Sequence, residues 1–166
     1  MTDGHSDNGA HREANRPYVR LLIMTLLSFT AMCILMYAMI DNIDNIRVNL
    51  NQFYMAALMV SAVVVIQLVV MGGVYHNGTI NTIAMGAALA ALILFWVLIR
   101  LQTGVSDEQL LKSMIPHHAG AVLICEQASI TDSEVQRLCE RIRTNQRAEL
   151  DEMKAILRRL EEKKLP

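Results

Sequence analysis

Residues 53–99 contain no Asp, Glu, Lys or Arg, and a chain that runs so far without a charge has few ways to fold. In a bilayer every backbone N–H and C=O must bond within its own segment, so such a run forms helices there. At 1.5 Å per residue, about twenty apolar residues cross the hydrocarbon layer. The run divides naturally: Phe53 to Met71 is closed by Gly72-Gly73, His76-Asn77-Gly78 reads as a tight turn, and Ile80 to Ile99 is closed by Arg100. A further apolar run, Tyr18 to Ile40, carries only Arg20. It is too long for the core of a secretory signal and no A-x-A site follows it. Cys33 follows Ala31-Met32, where a lipidated cysteine would follow a small residue. We therefore expect three transmembrane helices, at about 18–40, 53–71 and 80–99 of a region spanning 17–103, with membrane lipid as partner.

Asp41 to Gln52 is a polar connector rich in turn-forming Asn and Asp. Gly86/Ala90 and Ala87/Ala91 have the small-xxx-small spacing that lets helices approach closely in lipid, and Gln67 is placed for an interhelical hydrogen bond. Arg12, Arg16 and Arg20 flank the first span, against Arg47 in the first connector, which favours the N-terminus inside and the C-terminal domain outside. Arg100 and Lys112 pull the other way. Residues 1–16 are polar and without periodicity, the pattern of a disordered tail, in which His5 and His11 are isolated histidines. A formal net charge of −1 gives no field to recruit nucleic acid. Three cysteines without a CxxC are too few for a disulfide-built scaffold.

From Gly104 the chain reads as a water-soluble helical hairpin, residues 104–166, with ten Lys/Arg and eleven Asp/Glu. Ser106 with Gln109 has capping-box spacing. Pro116 is expected to kink or restart the first helix, because it cannot donate to the carbonyl of Lys112. Ser129 to Ser133 supplies a break, with Thr131 or Ser133 as the next cap, and a second helix runs from about Glu134 to Lys163.

Met114, His118 and Cys125 fall at i, i+4 and i+11, in a narrow band on one helix face, with His117 beside His118. Thioether, imidazole and thiolate suit Cu(I), and less selectively zinc. On the second helix Cys139, Ile142, Gln146, Glu149 and Met153 form a facing stripe. Counting outward from a turn near Thr131 sets Cys125 opposite about residue 138, His118 opposite about 145 and Met114 opposite about 149. The expected metal ligands are Met114, His117, His118, Met153, Cys125 and Cys139, with Gln146 and Glu149 supporting them by hydrogen bonds. Each has a plainer reading: methionines fill cores, and the cysteines pair as a disulfide or pack as small hydrophobes. Adjacent helical residues point about 100° apart, so both histidines reach one ion only through a distorted helix or a second chain. Two helices alone cannot enclose a core. The hairpin is expected to pair with a second copy as a four-helix bundle, or to lie against the membrane helices.

MIPHHAGAVLICEQA, followed by NQRAELDEM, resembles the bacterial family named domain of unknown function 305, and PYVRLL, NQFYMA and LFWVLIR resemble its membrane-anchored branch. The resemblance covers nearly the whole chain. It implies a ferritin-like helical bundle, in a family with some members linked to copper handling, and matches Met114, His117, His118, Gln146, Glu149 and Met153 to motif positions. Ile124 stands where many members have methionine.

These features lead to an all-α protein of the bacterial inner membrane. Its extracytoplasmic hairpin is expected to hold copper as Cu(I) for buffering, delivery or tolerance, with a copper-delivery partner. Met36, Met39, Met55 and Met59 offer a stepping path for the ion, or pack against lipid. An enzyme is not expected, because the di-metal bundles use Glu-x-x-His and that motif is absent. The alternative is a structural or signalling module whose hairpin dimerises, with histidines that pack or report pH.

Overall fold

The structure, a computed structural model, describes residues 7–164, with side chains from Arg16 onward. Among the described residues every regular element is a helix: α1 (Asp7–Leu35), α2 (Leu50–Val70), α3 (Gly78–Leu101), α4 (Asp107–Gln127) and α5 (Ser133–Glu162). Two short 3-10 turns, Met36–Met39 and Ile43–Asn45, lie between α1 and α2. The chain forms two compact units: residues up to Cys33 with Tyr54–Leu101, and Ile34–Phe53 with the residues from Gln102 onward.

The first unit carries most of the apolar sequence. The helical stretches Arg16–Met39, Leu50–Val70 and Gly78–Leu101 are long and apolar enough to cross a membrane. Leu22, Leu26, Leu27, Ile83, Ile93, Leu94 and Trp96 are all more than half exposed. That surface is costly in water and suited to hydrocarbon.

The helices are longer than expected. α1 begins at Asp7, inside the tail expected to be disordered, because Ala10, Arg12, Glu13 and Ala14 are good helix formers whose polarity does not prevent them from extending an apolar helix. His5 lies outside the described residues, and the side chain of His11 is not described. α3 begins at Gly78 because Asn77 caps it, accepting from the Ile80 N–H at 3.1 Å.

A clip that periodicity does not reveal holds the start of α1 to the α2–α3 turn. The Tyr18 hydroxyl donates to Asn81 Oδ1 at 2.9 Å and accepts from the Asn77 N–H at 3.1 Å. Asn81 donates in turn to the Tyr75 carbonyl at 2.7 Å, and the Tyr18 and Tyr75 rings lie 5.4 Å apart. Leu21, Leu68 and Tyr75 form the buried centre beside it.

Two expectations for this unit are corrected. Gly86 has no atom within 4 Å of the place a Cβ would occupy, so its small-xxx-small stripe closes no helix pair among the described residues. Gln67 donates to Met71 Sδ at 3.0 Å and lies 3.5 Å from the Tyr75 hydroxyl; both partners lie a few residues on in the chain, in the turn after α2. A side chain near a helix end satisfies its amide locally before it reaches a neighbouring helix.

The second unit is the α4–α5 hairpin with residues 34–53 packed on α4. Ile115, Val122, Leu150 and Leu157 form its buried centre, with Leu111 and Met153 against it. The stripe on α5 is therefore rotated from the expected one: Leu150 and Leu157 point inward, while Glu149 is exposed. Leucine transfers favourably out of water and a carboxylate does not, so the seam centres on the leucines and leaves Glu149 at its edge.

α4 is continuous through Pro116. Ile115, Ala119 and Val122, on both sides of the proline, are wholly buried, and that packing offsets the lost backbone bond. Ser106 is the N-cap of α4 but its side chain makes no capping bond. Gln109 does not complete a capping box; its Oε1 accepts from the Leu50 N–H at 2.8 Å and caps α2 instead. The break before α5 falls where expected, but the cap is Asp132, whose carboxylate accepts from the Glu134 and Val135 N–H groups at 2.8 and 3.0 Å. An ionised carboxylate at a helix N-terminus outcompetes the hydroxyls of Thr131 and Ser133.

Candidate functional site in the helical hairpin

The hairpin brings His118 against Glu149. His118 is buried on the inner face of α4, between Ile115 and Val122 in the helical repeat, while Glu149 reaches in from the edge of α5 beside Leu150. His118 Nε2 lies 2.7 Å from Glu149 Oε2. Nδ1 lies 3.0 Å from the carbonyl oxygen of Met114, one turn earlier on α4. Both ring nitrogens thus face acceptors. A carbonyl can only accept, so the contact with Met114 is made by Nδ1–H, and Nε2 is the nitrogen that faces the carboxylate.

The expected support of His118 by Glu149 is therefore present in the geometry, though not in the expected register. Near the turn the count is close: Cys125 bonds to Cys139 rather than facing 138. By His118 the partner is Glu149, one turn beyond 145. Side chains on a helix lean toward its N-terminus. In an antiparallel pair the His118 ring leans away from the hairpin turn and the Glu149 carboxylate leans toward it, so their backbones meet staggered. The ion pairs Glu126–Arg147 and Lys112–Glu161 are displaced in the same direction and further, as their longer side chains allow.

The remaining expected residues are distributed differently. His117 is exposed, with its ring centroid 5.9 Å from that of His118 at an interplanar angle of 60°. Met114 and Gln146 are half-buried. Met153 packs on the hydrophobic centre of the hairpin. Cys125 and Cys139 are joined as a disulfide, with Cα atoms 5.2 Å apart. That corrects their assignment as metal ligands: a disulfide sulfur has no thiolate to offer, and the plainer alternative of pairing is the one realised. Met39, Met55 and Met59 are exposed. Among the described residues no three His, Cys, Asp or Glu side chains converge as a metal site. The donors beyond His118 and Glu149 are thioethers and the exposed His117.

Two features elsewhere on α4 are not legible in the sequence. Glu108, at the start of α4, is bonded by Lys112 at 2.5 Å and by Lys164. The hydrogen bond from Lys112, then that from Lys164, lowers its carboxyl pKa from the ordinary 4.5 to about 2. The same bond raises the Lys112 ammonium above its ordinary value. Gly120, one turn of α4 beyond Pro116, lies beneath the Met39 carbonyl. A glycine inside a helical pattern signals close backbone approach, but not which backbone approaches.

A curated relative, an uncharacterized protein of Acanthamoeba polyphaga mimivirus, is 32% identical over 140 residues, covering 82% of this chain and 90% of the relative. No solved structure matches the chain. The sequence profile described as "Domain of unknown function (DUF305)" matches residues 97–165, which include all of α4 and α5, and the chain belongs to that family.

Proposed function

We propose that this is a membrane-anchored metal-binding protein that holds copper, as Cu(I), on its helical hairpin for buffering, delivery or tolerance, without covalent chemistry on a substrate. The observation that carries the reading is the state of His118. Its Nδ1–H is tied to the Met114 carbonyl at 3.0 Å, which fixes the ring and leaves Nε2 as the ligand nitrogen. Glu149 Oε2, 2.7 Å away, is placed to take the proton that Nε2 would give up on ligation. The thioethers of Met114 and Met153 and the imidazole of His117 complete a donor set that prefers a soft cation to zinc. Gln146, half-buried on α5, supports the site by hydrogen bonding.

The surrounding proposal follows. A Cys125–Cys139 disulfide favours an oxidising compartment, and the arginines before the first span favour placing the hairpin outside a bacterial inner membrane. Leu110, Ile124, Val135 and Leu138 stay exposed on the hairpin, which favours pairing of two copies into a ferritin-like four-helix bundle and brings two His-His elements together.

Titration of Cu(I) into the detergent-solubilised full chain against a competing chelator tests this. Binding should be lost in a His117→Ala/His118→Ala variant; binding that persists there unchanged, or none in the parent, removes the copper reading. A second reading, a dimerising structural or pH-reporting module, is favoured by one observation: both His118 nitrogens are satisfied by the protein itself. Metal-free dimers whose association follows pH would select it.

A further inference from the structure

An open groove of about 340 Å³ in the first unit is lined by Arg16, Arg20, Leu21 and Met24 of α1 and by Gln67 and Tyr75. We propose that it binds an anionic phospholipid, with the headgroup phosphate between the guanidinium groups of Arg16 and Arg20 and an acyl chain along Leu21 and Met24.

Charge is the first argument. Arg16 and Arg20 stand one helical turn apart on one face of α1, and both are exposed. Residues 16–33 and 54–101 of this unit contain no Asp or Glu, so none of its described side chains is a counter-ion to the pair. Guanidinium groups bind phosphate bidentately, which makes phosphate the natural external partner.

Position is the second. Arg16 is the first residue of the apolar stretch Arg16–Met39, so the pair stands where hydrocarbon gives way to headgroups. Long cationic side chains reach that level while their stems lie along apolar surface, and basic pockets between membrane helices take anionic headgroups. The groove's other walls are apolar, apart from the Gln67 amide and Tyr75 hydroxyl, which suit a glycerol backbone. The Tyr18–Asn77–Asn81 clip fixes the α1 wall against the α2–α3 turn, so the groove is a built feature of the unit.

The test uses the full chain in a neutral detergent, with native mass spectrometry counting bound phosphatidylglycerol against phosphatidylcholine. Two guanidinium groups should give a preference for phosphatidylglycerol of about thirtyfold. Arg16→Gln/Arg20→Gln should abolish the preference, and each single change should reduce it to about fivefold, which keeps the test decisive if the double variant folds poorly. Arg100→Gln, the same loss of charge at the far end of α3, should leave it intact. Equal retention of the two lipids overturns the proposal, as does a preference that survives both single changes or falls equally in Arg100→Gln. Competition by millimolar inorganic phosphate would show a site for the free anion and overturn it too.

Discussion

The carbonyl oxygen of Met39 stands 3.2 Å from the position a Cβ on Gly120 would take. The 3-10 turn Met36–Met39 is thereby seated directly on the backbone of α4, two residues beyond His118. Gly120→Ala sets two small effects against each other: alanine favours the helix by about 1 kcal/mol, while its methyl group crowds a backbone atom. A near-neutral result is expected. Gly120→Val has no such balance, because its branches press on the carbonyl, and overpacking costs about 1–3 kcal/mol. Chemical unfolding of the full chain in detergent, followed by far-UV circular dichroism, should show valine destabilising and alanine not. Equal stability of the two variants would mean that the turn does not sit there.

The His118–Glu149 contact predicts an asymmetric pair of variants. Glu149→Ala removes a half-exposed carboxylate and should cost about 1 kcal/mol after solvent screening. His118→Ala also empties a buried place between Ile115 and Val122 and should cost about 2 kcal/mol or more. In a double-mutant cycle the two losses should fall short of additivity, since either change breaks the same bond. Full additivity would mean the two groups do not interact.

How far the site could be read in advance follows from these contacts. The membrane-length helices were legible because an uncharged run has few alternatives, and the hairpin turn because Ser129–Ser133 cannot continue a helix. Met114 and His118 are legible as neighbours on α4, since a spacing of four puts residues on one face; the partner of His118 across the seam is not, because the count sets it opposite about 145 and the contact is with Glu149. The rotation of α5 was not legible: Glu149 and Leu150 are adjacent, and a one-residue choice decides which faces the core. Gln109 and Tyr18 were misjudged or missed for another reason. Their partners, Leu50 and Asn81, lie 59 and 63 residues away, and only the folded chain brings them together.

Cys125 and Cys139 close a loop of sequence separation 14, which restricts the unfolded hairpin and should stabilise it by about 3 kcal/mol. Cys125→Ser/Cys139→Ser should lose that amount, and dithiothreitol should lower the parent's melting temperature while leaving the variant's unchanged. If the parent is equally stable reduced and oxidised, the crosslink contributes nothing to the fold. Cu(I) affinity measured on both forms separates structure from ligation, because the proposed donor set needs neither sulfur.

The cluster of Glu108, Lys112 and Lys164 fixes a pH window. Glu108 has its carboxyl pKa lowered from 4.5 to about 2 by the two lysine hydrogen bonds. A group whose pKa is depressed on folding stabilises fully above its unfolded value, and that contribution fades as pH falls toward the folded value. The advantage of the parent over Glu108→Gln should therefore be constant above pH 4.5, shrink between 4.5 and about 2, and vanish below. Other carboxylates titrate in the same range but are common to both proteins, so the difference between the two melting curves isolates Glu108. High salt should narrow the gap at neutral pH, since these partners meet at the surface. A gap that stays constant down to pH 2 would mean that the lysines hold Glu108 by packing and not by charge.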